Sequence, residues 1–354
     1  MFILRLLLLP ITFLYSLVMR VRNWMYDRGI LHATKVPVKV ISIGNIAIGG
    51  TGKSPLVIYL HELLSKTRQV ALLSRGYKRK TKGFQLVKPN SSVDQIGDEP
   101  KQFSQVIPDL KMAVCEDRVE GANKLLNTFP EVNTIILDDA YQHRAIDRDI
   151  NILLIDYASI GQKEFVLPTG NLREPKTGSK RADAVVISKT PSIFSPIERR
   201  RITEMLKLYG NQHLFFSYIE FKDIYPFSDA AKLLSKDGFD ITQEKVIALS
   251  GIANNATFID HLSRFAKDVE IQPMPDHHHY DVADLVELEK KCFVFGQLKK
   301  IIVTTEKDIA KLSQDKFLPI IKTLPIFVLP IEVKFHEEEN ISFDKYILDH
   351  VGSN

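Results

Sequence analysis

A glycine-rich segment, Gly49-Gly50-Thr51-Gly52-Lys53-Ser54, carries the strongest chemical signal in this sequence. Glycines permit a tight turn whose backbone N–H groups point at a phosphate chain, and a helix that begins there adds its positive dipole end. The lysine can reach the β- and γ-phosphates, and the serine hydroxyl suits Mg²⁺. The segment predicts a nucleotide-binding P-loop made of Ala47, Ile48, Gly49, Gly50, Thr51, Gly52, Lys53 and Ser54, although Ala47 stands where the strict pattern has glycine.

Two adjacent carboxylates, Asp138 and Asp139, follow the apolar run 134–137. In P-loop proteins an acidic residue at the end of a neighbouring strand holds Mg²⁺ directly or through water. Taken alone, two such aspartates are as often a solvated turn or a helix N-cap. The upstream P-loop favours the metal interpretation and gives the set Ser54, Asp138 and Asp139. Side-chain alternation predicts that the two aspartates differ in role, and their ranking stays open.

Short β-branched runs separated by polar helical stretches must position these groups, at residues 38–43, 69–74, 134–137, 150–155 and 184–188. Strands that alternate with helices predict a parallel sheet with helices on both faces. A second set follows a polar connection, with strands at 246–250 and 301–304 and helices near 255–266 and 282–291. We therefore predict an α/β P-loop NTPase domain at 29–221, a connection at 222–244, a smaller α/β domain at 245–354, and an N-terminal membrane-associated helix at 1–28.

Size and composition fit this organisation, because 354 residues with 45% hydrophobic and 25% charged residues suit two globular domains. The two cysteines, Cys115 and Cys292, give neither a disulfide framework nor metal-ligand spacing, which is typical of a reducing compartment. A net charge of +4 spread over this length does not indicate nucleic-acid binding.

The N-terminal segment is apolar from residue 2 to 19 apart from Arg5 and a few small polar or proline positions, and Arg20, Arg22 and Arg28 follow it. A cleaved signal peptide has its positive charge before the apolar run and a small-residue cleavage site after it. Here most of the basic residues follow the apolar run, so the order is the reverse. The run is just long enough to span a bilayer, and its basic and aromatic flank also suits a helix that lies at the interface. We expect membrane attachment in one of these two ways, with a buried core helix as the alternative.

Several polar segments follow the P-loop in a characteristic order. Together with the P-loop they resemble the tetraacyldisaccharide 4'-kinase family, over about residues 38–311. The segments are Gly97-Asp98-Glu99-Pro100, Glu116-Asp117-Arg118, Asp139-Ala140-Tyr141-Gln142-His143, Leu167-Pro168-Thr169-Gly170-Asn171-Leu172-Arg173-Glu174-Pro175, Asp276-His277-His278 and Thr304-Thr305-Glu306-Lys307-Asp308.

This resemblance implies transfer of the γ-phosphate of ATP, with Mg²⁺, to the 4'-hydroxyl of a tetraacyldisaccharide 1-phosphate, a lipid A precursor. The implied location is the cytoplasmic face of the bacterial inner membrane, with the lipid surface and the membrane-embedded precursor as partners. Neither nucleic acid nor an obligate protein partner is expected.

The resemblance also assigns catalytic residues. It implies that Asp98 acts with His277 as the base on the acceptor hydroxyl, while Lys53 acts on the transferring phosphoryl group. General-base catalysis contributes about 10²–10⁴-fold, so positioning and charge neutralisation weigh more in phosphoryl transfer. Because His277, His278 and His279 are consecutive, the histidine that pairs with Asp98 stays open.

Substrate contacts follow from the matching arginines, whose planar guanidinium groups suit phosphate. The resemblance assigns Arg75, Arg118 and Arg173 to the acceptor, and it places Gln142, His143 and Glu174 around the site. Exposed basic residues on a solvated face are the alternative.

Two other classes of P-loop protein are alternatives to the kinase. A membrane-associated ATPase that acts as a regulatory switch commonly has an extra lysine early in the loop, where Ile48 stands here. A guanine-specific GTPase is faintly indicated by Ser188-Lys189-Thr190, but Pro191 occupies the place of the aspartate that would bind the guanine edge.

Overall fold

The structure, a computed structural model, describes residues 8–162, 164–236, 239–252, 255–275, 278–294, 297–298, 300–337 and 341–352. In these residues the larger sheet has nine strands in the order β16-β8-β7-β6-β1-β5-β2-β4-β3. Its strands are β1 (Lys39–Gly44), β2 (Val70–Ser74), β3 (Gln85–Leu86), β4 (Met112–Val114), β5 (Thr134–Leu137), β6 (Ile150–Asp156), β7 (Ala184–Ser188), β8 (His213–Phe221) and β16 (Ile331–Phe335).

The seven strands from β8 to β4 are mutually parallel, and the two edge strands β16 and β3 are antiparallel to their neighbours. Strand β1 lies between β5 and β6. The chain leaves β1 toward β2 on one side and later returns to β6 on the other. Such a reversal opens a crevice at the carboxyl ends of the strands, where ligands of α/β proteins bind.

Helices cover both faces of this sheet, as the sequence predicts. They are α2 (Lys53–Ser65), α3 (Val93–Ile96), α4 (Asp98–Val106), α5 (Arg118–Thr128), α6 (Pro196–Leu206) and α12 (Phe343–Val351). On one face Leu56 and Leu60 of α2 pack with Ile41 and Ile136, and on the other Leu125 of α5 packs with Leu73. The predicted parallel α/β sheet is therefore confirmed.

A second, smaller sheet has the order β11-β10-β14-β15-β9, with β9 antiparallel and the other four strands parallel. Its strands are β9 (Tyr225–Pro226), β10 (Lys245–Ser250), β11 (Asp268–Pro273), β14 (Ile301–Thr305) and β15 (Ile326–Leu329), and Phe293–Val294 and Gln297–Leu298 form a separate hairpin, β12 and β13. Its helices are α7 (Asp229–Lys236), α8 (Ala256–Phe265), α9 (Val282–Cys292), α10 (Glu306–Leu312) and α11 (Leu318–Ile321).

The chain returns to the large sheet after the small one. Strand β16 pairs antiparallel with β8, and Phe343, Tyr346 and Ile347 of α12 are buried in the core that contains β1 and α2. The predicted domain boundaries at 221, 244 and 245 stay predictions. The structure adds that residues 331–335 and 343–351 pack with the large sheet.

The first described helix, α1, runs from Leu9 to Asp27 and begins with a proline in its first turn. Its apolar side chains Ile11, Phe13, Leu14, Leu17, Val18, Val21 and Trp24 are exposed, whereas Thr12 is buried. Within the described residues, none of the helices has the length and apolar character that crossing a membrane requires.

The place of α12 leads to a stability prediction. Phe343 is 1% exposed and stacks on Phe335 of β16 at a centroid distance of 4.0 Å, so Phe343→Ala should cost about 3–5 kcal/mol of unfolding free energy. Hydrogen exchange should quicken in β1 and β5 of the large sheet and stay unchanged in β10 and β14. Leu348→Ala, at a partly exposed position on the same helix, is the control. Faster exchange confined to the small sheet would contradict this assignment.

Candidate active site

The P-loop connects β1 to α2 and takes the conformation that its glycines predict. Gly49 and Gly52 have φ of 125° and 81°, a region that only glycine enters at little cost. Gly52 is the N-cap of α2 and has no side chain with which to satisfy the first N–H groups of that helix. These donors and the helix dipole therefore stay available to an anion.

Neighbouring elements hold the loop in place. The Asn45 amide donates to Thr51 Oγ1 at 2.9 Å, and Ser188 Oγ at the end of β7 donates to the Thr51 carbonyl at 2.8 Å. Ile48 N donates to the Asn171 carbonyl at 2.7 Å, and Ala47 forms a bridge with Leu172. The loop is thus anchored at its base and on both sides.

Lys53 and Arg173 meet at one carboxylate. Lys53 Nζ lies 3.7 Å from Asp139 Oδ1, and Arg173 Nη1 donates to both Asp139 oxygens at 2.8 and 2.9 Å. Asp139 has φ of 46°, an uncommon value for a residue other than glycine. The strand end, the P-loop lysine and the segment near residue 173 therefore converge on Asp139.

Asp138 has a different environment from Asp139. It is 0% exposed, its Oδ2 accepts a hydrogen bond from Ser74 Oγ at 2.9 Å, and within the described residues its Oδ1 has no hydrogen-bond partner. Burial, followed by the charges of Glu99 and Asp139, raises the pKa of Asp138 to about 8. A buried oxygen without a partner beside other acidic groups marks a place where a cation would be stabilised.

Glu99 is a site residue that the sequence reasoning missed. It lies in the first turn of α4, and Ser54 Oγ is 3.4 Å from its Oε1. The available signal was its position beside Asp98 in the quoted Gly97-Asp98-Glu99-Pro100 segment. In the described residues, no three His, Cys, Asp or Glu side chains form a group that could hold a metal on their own.

The predicted base, Asp98, is the first residue of α4 and is buried. The predicted His277 lies outside the described residues. Of its two neighbours, His278 is held by its Nε2 at 2.8 Å from Asp284 Oδ2, and His279 is exposed. The pairing of a histidine with Asp98 stays a prediction, and the choice among the three histidines stays open.

The three predicted arginines differ in exposure. Arg75 at the end of β2 is exposed, Arg173 is partly exposed, and Arg118 is 1% exposed. Arg118 Nη1 donates to the carbonyls of Cys115 and Glu116 at 2.8 and 3.2 Å. In this arrangement Arg118 stabilises the ends of the strands from inside the protein.

His143 lies against the same region. Burial, and then the Arg118 charge, lowers the pKa of His143 to about 4, and its Nε2 lies 3.4 Å from Arg118 N. A neutral imidazole is therefore expected there at neutral pH.

Gln142 and Glu174 belong to a hydrogen-bond network beneath α1. Gln142 Nε2 donates to the Asn45 carbonyl at 2.8 Å and to Glu174 Oε1 at 2.9 Å. The fully buried Glu174 also accepts from Asn23 of α1 and from Arg181, each at 2.9 Å. These two side chains tie the base of the P-loop to the N-terminal helix.

Comparison with known proteins agrees with this geometry. The family model described as Tetraacyldisaccharide-1-P 4'-kinase matches residues 4–351. The chain belongs to this family. Proteins named Tetraacyldisaccharide 4'-kinase from Phocaeicola vulgatus and Flavobacterium johnsoniae are 38% and 39% identical, covering 98% and 99% of this chain and 95% and 98% of their own lengths.

A solved structure of the same family is similar over the whole chain. It is the "apo" form of LpxK from Aquifex aeolicus in complex with ATP, with a TM-score of 0.72 and 32% identity, covering 99% of this chain and all of that one. The predicted resemblance to the tetraacyldisaccharide 4'-kinase family is thereby confirmed.

The raised pKa of Asp138 leads to a pH-dependent stability prediction. Between about pH 4 and pH 8 the unfolded chain has lost the Asp138 proton while the folded chain keeps it, so this group lowers folding stability as pH rises through that window. Asp138→Asn removes the penalty. The Asp138→Asn protein should therefore melt at a higher temperature than the native protein. This gain in melting temperature, measured in EDTA, should be larger at pH 8 than at pH 5.

The matched control is Asp147→Asn, at an exposed aspartate shortly before β6. A gain for Asp138→Asn that is the same at both pH values would show that Asp138 is ionised throughout the window.

Proposed function

We propose that this chain transfers the γ-phosphate of ATP to the 4'-hydroxyl of a tetraacyldisaccharide 1-phosphate lipid A precursor. The observation that carries the proposal is the contact between Lys53 of the P-loop and Asp139 at the end of β5, in a chain related to these kinases along its whole length. A phosphate chain in this loop would lie between the N-terminus of α2 and the acidic end of β5. This is the position that phosphoryl transfer requires.

The donor set at this edge fits Mg²⁺, which prefers oxygen ligands and usually keeps water and substrate phosphate oxygens in its shell. Ser54 Oγ, the Asp138 carboxylate and Glu99 would hold it from α2, β5 and α4. Asp138 is the better candidate of the two aspartates, because its Oδ1 lacks a hydrogen bond within the described residues while Asp139 is already paired with Arg173. When bound, the ion neutralises charge on the transferring phosphates.

The acceptor side requires a group that takes the proton of the sugar hydroxyl. Asp98 suits this role because it begins α4 directly before Glu99, which faces Ser54 of the P-loop. A carboxylate there would lie near the γ-phosphate position without being part of the loop. Arg75, exposed at the end of β2, is the best placed of the predicted arginines to bind the phosphate of the acceptor.

In this proposal the N-terminal helix provides the surface that binds the membrane. Its apolar side chains face outward, while its opposite side bonds to the enzyme through Tyr15 Oη to the Arg173 carbonyl at 2.8 Å and Arg22 to the Gln142 carbonyl at 2.9 Å. Arg20 and Arg28 add positive charge next to the apolar face. A helix of this kind lies in the interface of an anionic bilayer, here the cytoplasmic face of the inner membrane.

The P-loop lysine gives the first test of catalysis. Lys53→Met keeps the length of the side chain and removes its charge, so kcat for ³²P transfer from labelled ATP to the lipid should fall by about 10²-fold or more. Melting temperature reports the fold. Lys66→Met, at the exposed end of the same helix, is the matched control. Turnover near that of the native enzyme in a folded Lys53→Met protein would contradict the role assigned to Lys53 in the P-loop.

Charged substitutions on the outer face of α1 test whether this face binds the membrane. The double variant Leu14→Glu and Val18→Glu changes two exposed residues one turn apart, so it should abolish sedimentation with anionic vesicles and leave the ATP KM unchanged. Ile193→Glu, at a residue 93% exposed elsewhere, is the control. If the double variant sediments like the native chain, attachment does not use this face.

A further inference from the structure

Two consecutive residues of α1, Arg22 and Asn23, hold Gln142 from both of its ends. Arg22 Nη2 donates to the Gln142 carbonyl at 2.9 Å. Asn23 Nδ2 donates to Glu174 Oε2, and Gln142 Nε2 donates to Glu174 Oε1, each at 2.9 Å. Gln142 is therefore attached to the N-terminal helix once through its backbone and once, by way of Glu174, through its side chain.

Glu174 makes the second of these attachments in an enclosed place. Its side chain is 0% exposed, and Arg181 also donates to its Oε1 at 2.9 Å. Among the described residues, the donor to Oε2 is Asn23. A buried carboxylate oxygen that loses its donor is destabilised, because no water is at hand to replace the lost bond. Removal of the Asn23 amide should therefore disturb Glu174, and with it the side chain of Gln142.

Asn23 makes its bond to Glu174 against a penalty. A carboxylate only accepts hydrogen bonds, so Asn23 must turn its NH₂ group toward Glu174. Its Oδ1 is then buried and has no hydrogen-bond partner within the part of the chain that the structure describes. A buried oxygen without a partner opposes the docking of α1. Attachment of the helix alone therefore does not account for an asparagine at this position, whereas support of Glu174 does.

The other side of Gln142 leads to the P-loop. Gln142 Nε2 also donates to the Asn45 carbonyl at 2.8 Å, and Asn45 Nδ2 donates to Thr51 Oγ1 at 2.9 Å. The backbone beside Gln142 has no room to move on its own, since a Cβ on Gly44 would lie 2.7 Å from both Tyr141 N and Tyr141 Cβ. In a closely packed interior, a displacement of Gln142 is therefore transmitted to the chain just before the P-loop.

We propose that Asn23 is a positioning residue for the P-loop, acting through Glu174 and Gln142, so that the docked N-terminal helix and bound ATP stabilise each other. Four hydrogen bonds in series join Asn23 to Thr51, so Asn23 acts without touching the nucleotide. The proposal rests on the proposed function only in that the P-loop binds ATP. Coupling between two sites is reciprocal, so bound ATP should protect α1 to the extent that docked α1 favours ATP.

The test measures the Kd for ATP, with Mg²⁺ and without lipid, by titration calorimetry on the full chain. Asn23→Ala should raise this Kd about 5-fold, because Glu174 Oε2 loses its donor. Asn23→Asp keeps the shape of the side chain but sets a negative charge against Glu174, so its Kd should rise further. Melting temperature reports the fold, and Asn23→Ala alone carries the test if Asn23→Asp does not fold.

The matched control is Asp27→Asn, on the same helix. It removes the ion pair between Asp27 Oδ1 and Arg144 Nη2 at 2.7 Å, a contact that joins α1 to the rest of the protein without Glu174. Its Kd for ATP should stay within about 2-fold of the native value, as expected for a pair of this exposure.

Two further measurements separate a positioning role from a merely structural one. In the Gln142→Ala background, Asn23→Ala should change the Kd for ATP by less than about 2-fold, because the connection is already broken. Hydrogen exchange in α1 should slow when ATP binds to the native chain, and this protection should be lost in Asn23→Ala.

Three results would each overturn the proposal. They are an unchanged Kd for ATP in folded Asn23→Ala, an equal loss in both backgrounds, and the same ATP-dependent protection of α1 in both proteins. Failure of the proposed function looks different: the native chain would bind ATP and show the Asn23 effect but transfer no phosphate to the lipid.

Discussion

Negative charge at a partly buried edge of the large sheet is the constraint around which the active site is organised. Asp138 and Asp139 end a central strand side by side, and the carboxylate of Glu99 faces the same edge from α4. Carboxylates that share such an edge repel one another unless positive charge lies nearby. Lys53 and Arg173 compensate Asp139, whereas Asp138 retains an oxygen without a hydrogen bond among the described residues and a raised pKa. The two adjacent aspartates therefore differ. Asp139 is already paired with positive side chains, whereas Asp138 is suited to bind a cation.

The same constraint explains why the N-terminal helix lies where it does. Arg173 binds Asp139 through its side chain and accepts the Tyr15 hydroxyl through its carbonyl, so one residue connects the acidic edge to α1. Glu174, the next residue, is buried between Asn23, Gln142 and Arg181. A helix whose outer face is apolar is thus bonded on its inner face to the floor of the nucleotide site. A change in the position of this helix would act on Asp139 through Arg173.

Local features were predictable from the sequence, and long-range ones were not. The predicted strands at 38–43, 134–137 and 184–188 agree with β1, β5 and β7 to within a residue, because buried β-branched runs and glycine turns are local signals. The P-loop and the carboxylates after β5 follow from the same kind of pattern. The pairing of β16 with β8 joins residues more than a hundred positions apart and leaves no local trace. Likewise, nothing near Arg118 in the sequence distinguishes an enclosed guanidinium from one that faces substrate, since the difference arises from the packing of α5 on β2 and β4.

Two cations that come from different parts of the fold meet at Asp139, and their anchors differ. Lys53 begins α2 directly after the P-loop glycines, whereas Arg173 is hydrogen-bonded through its carbonyl to Tyr15 of the N-terminal helix. The charge of Asp139 is therefore balanced in part by a cation whose position depends on the N-terminal helix. Because displacement of Arg173 would leave Asp139 less compensated, this pair favours the docked position of the N-terminal helix. Electrostatic compensation thus helps to hold this helix in place, beside the groups that would carry out the chemistry.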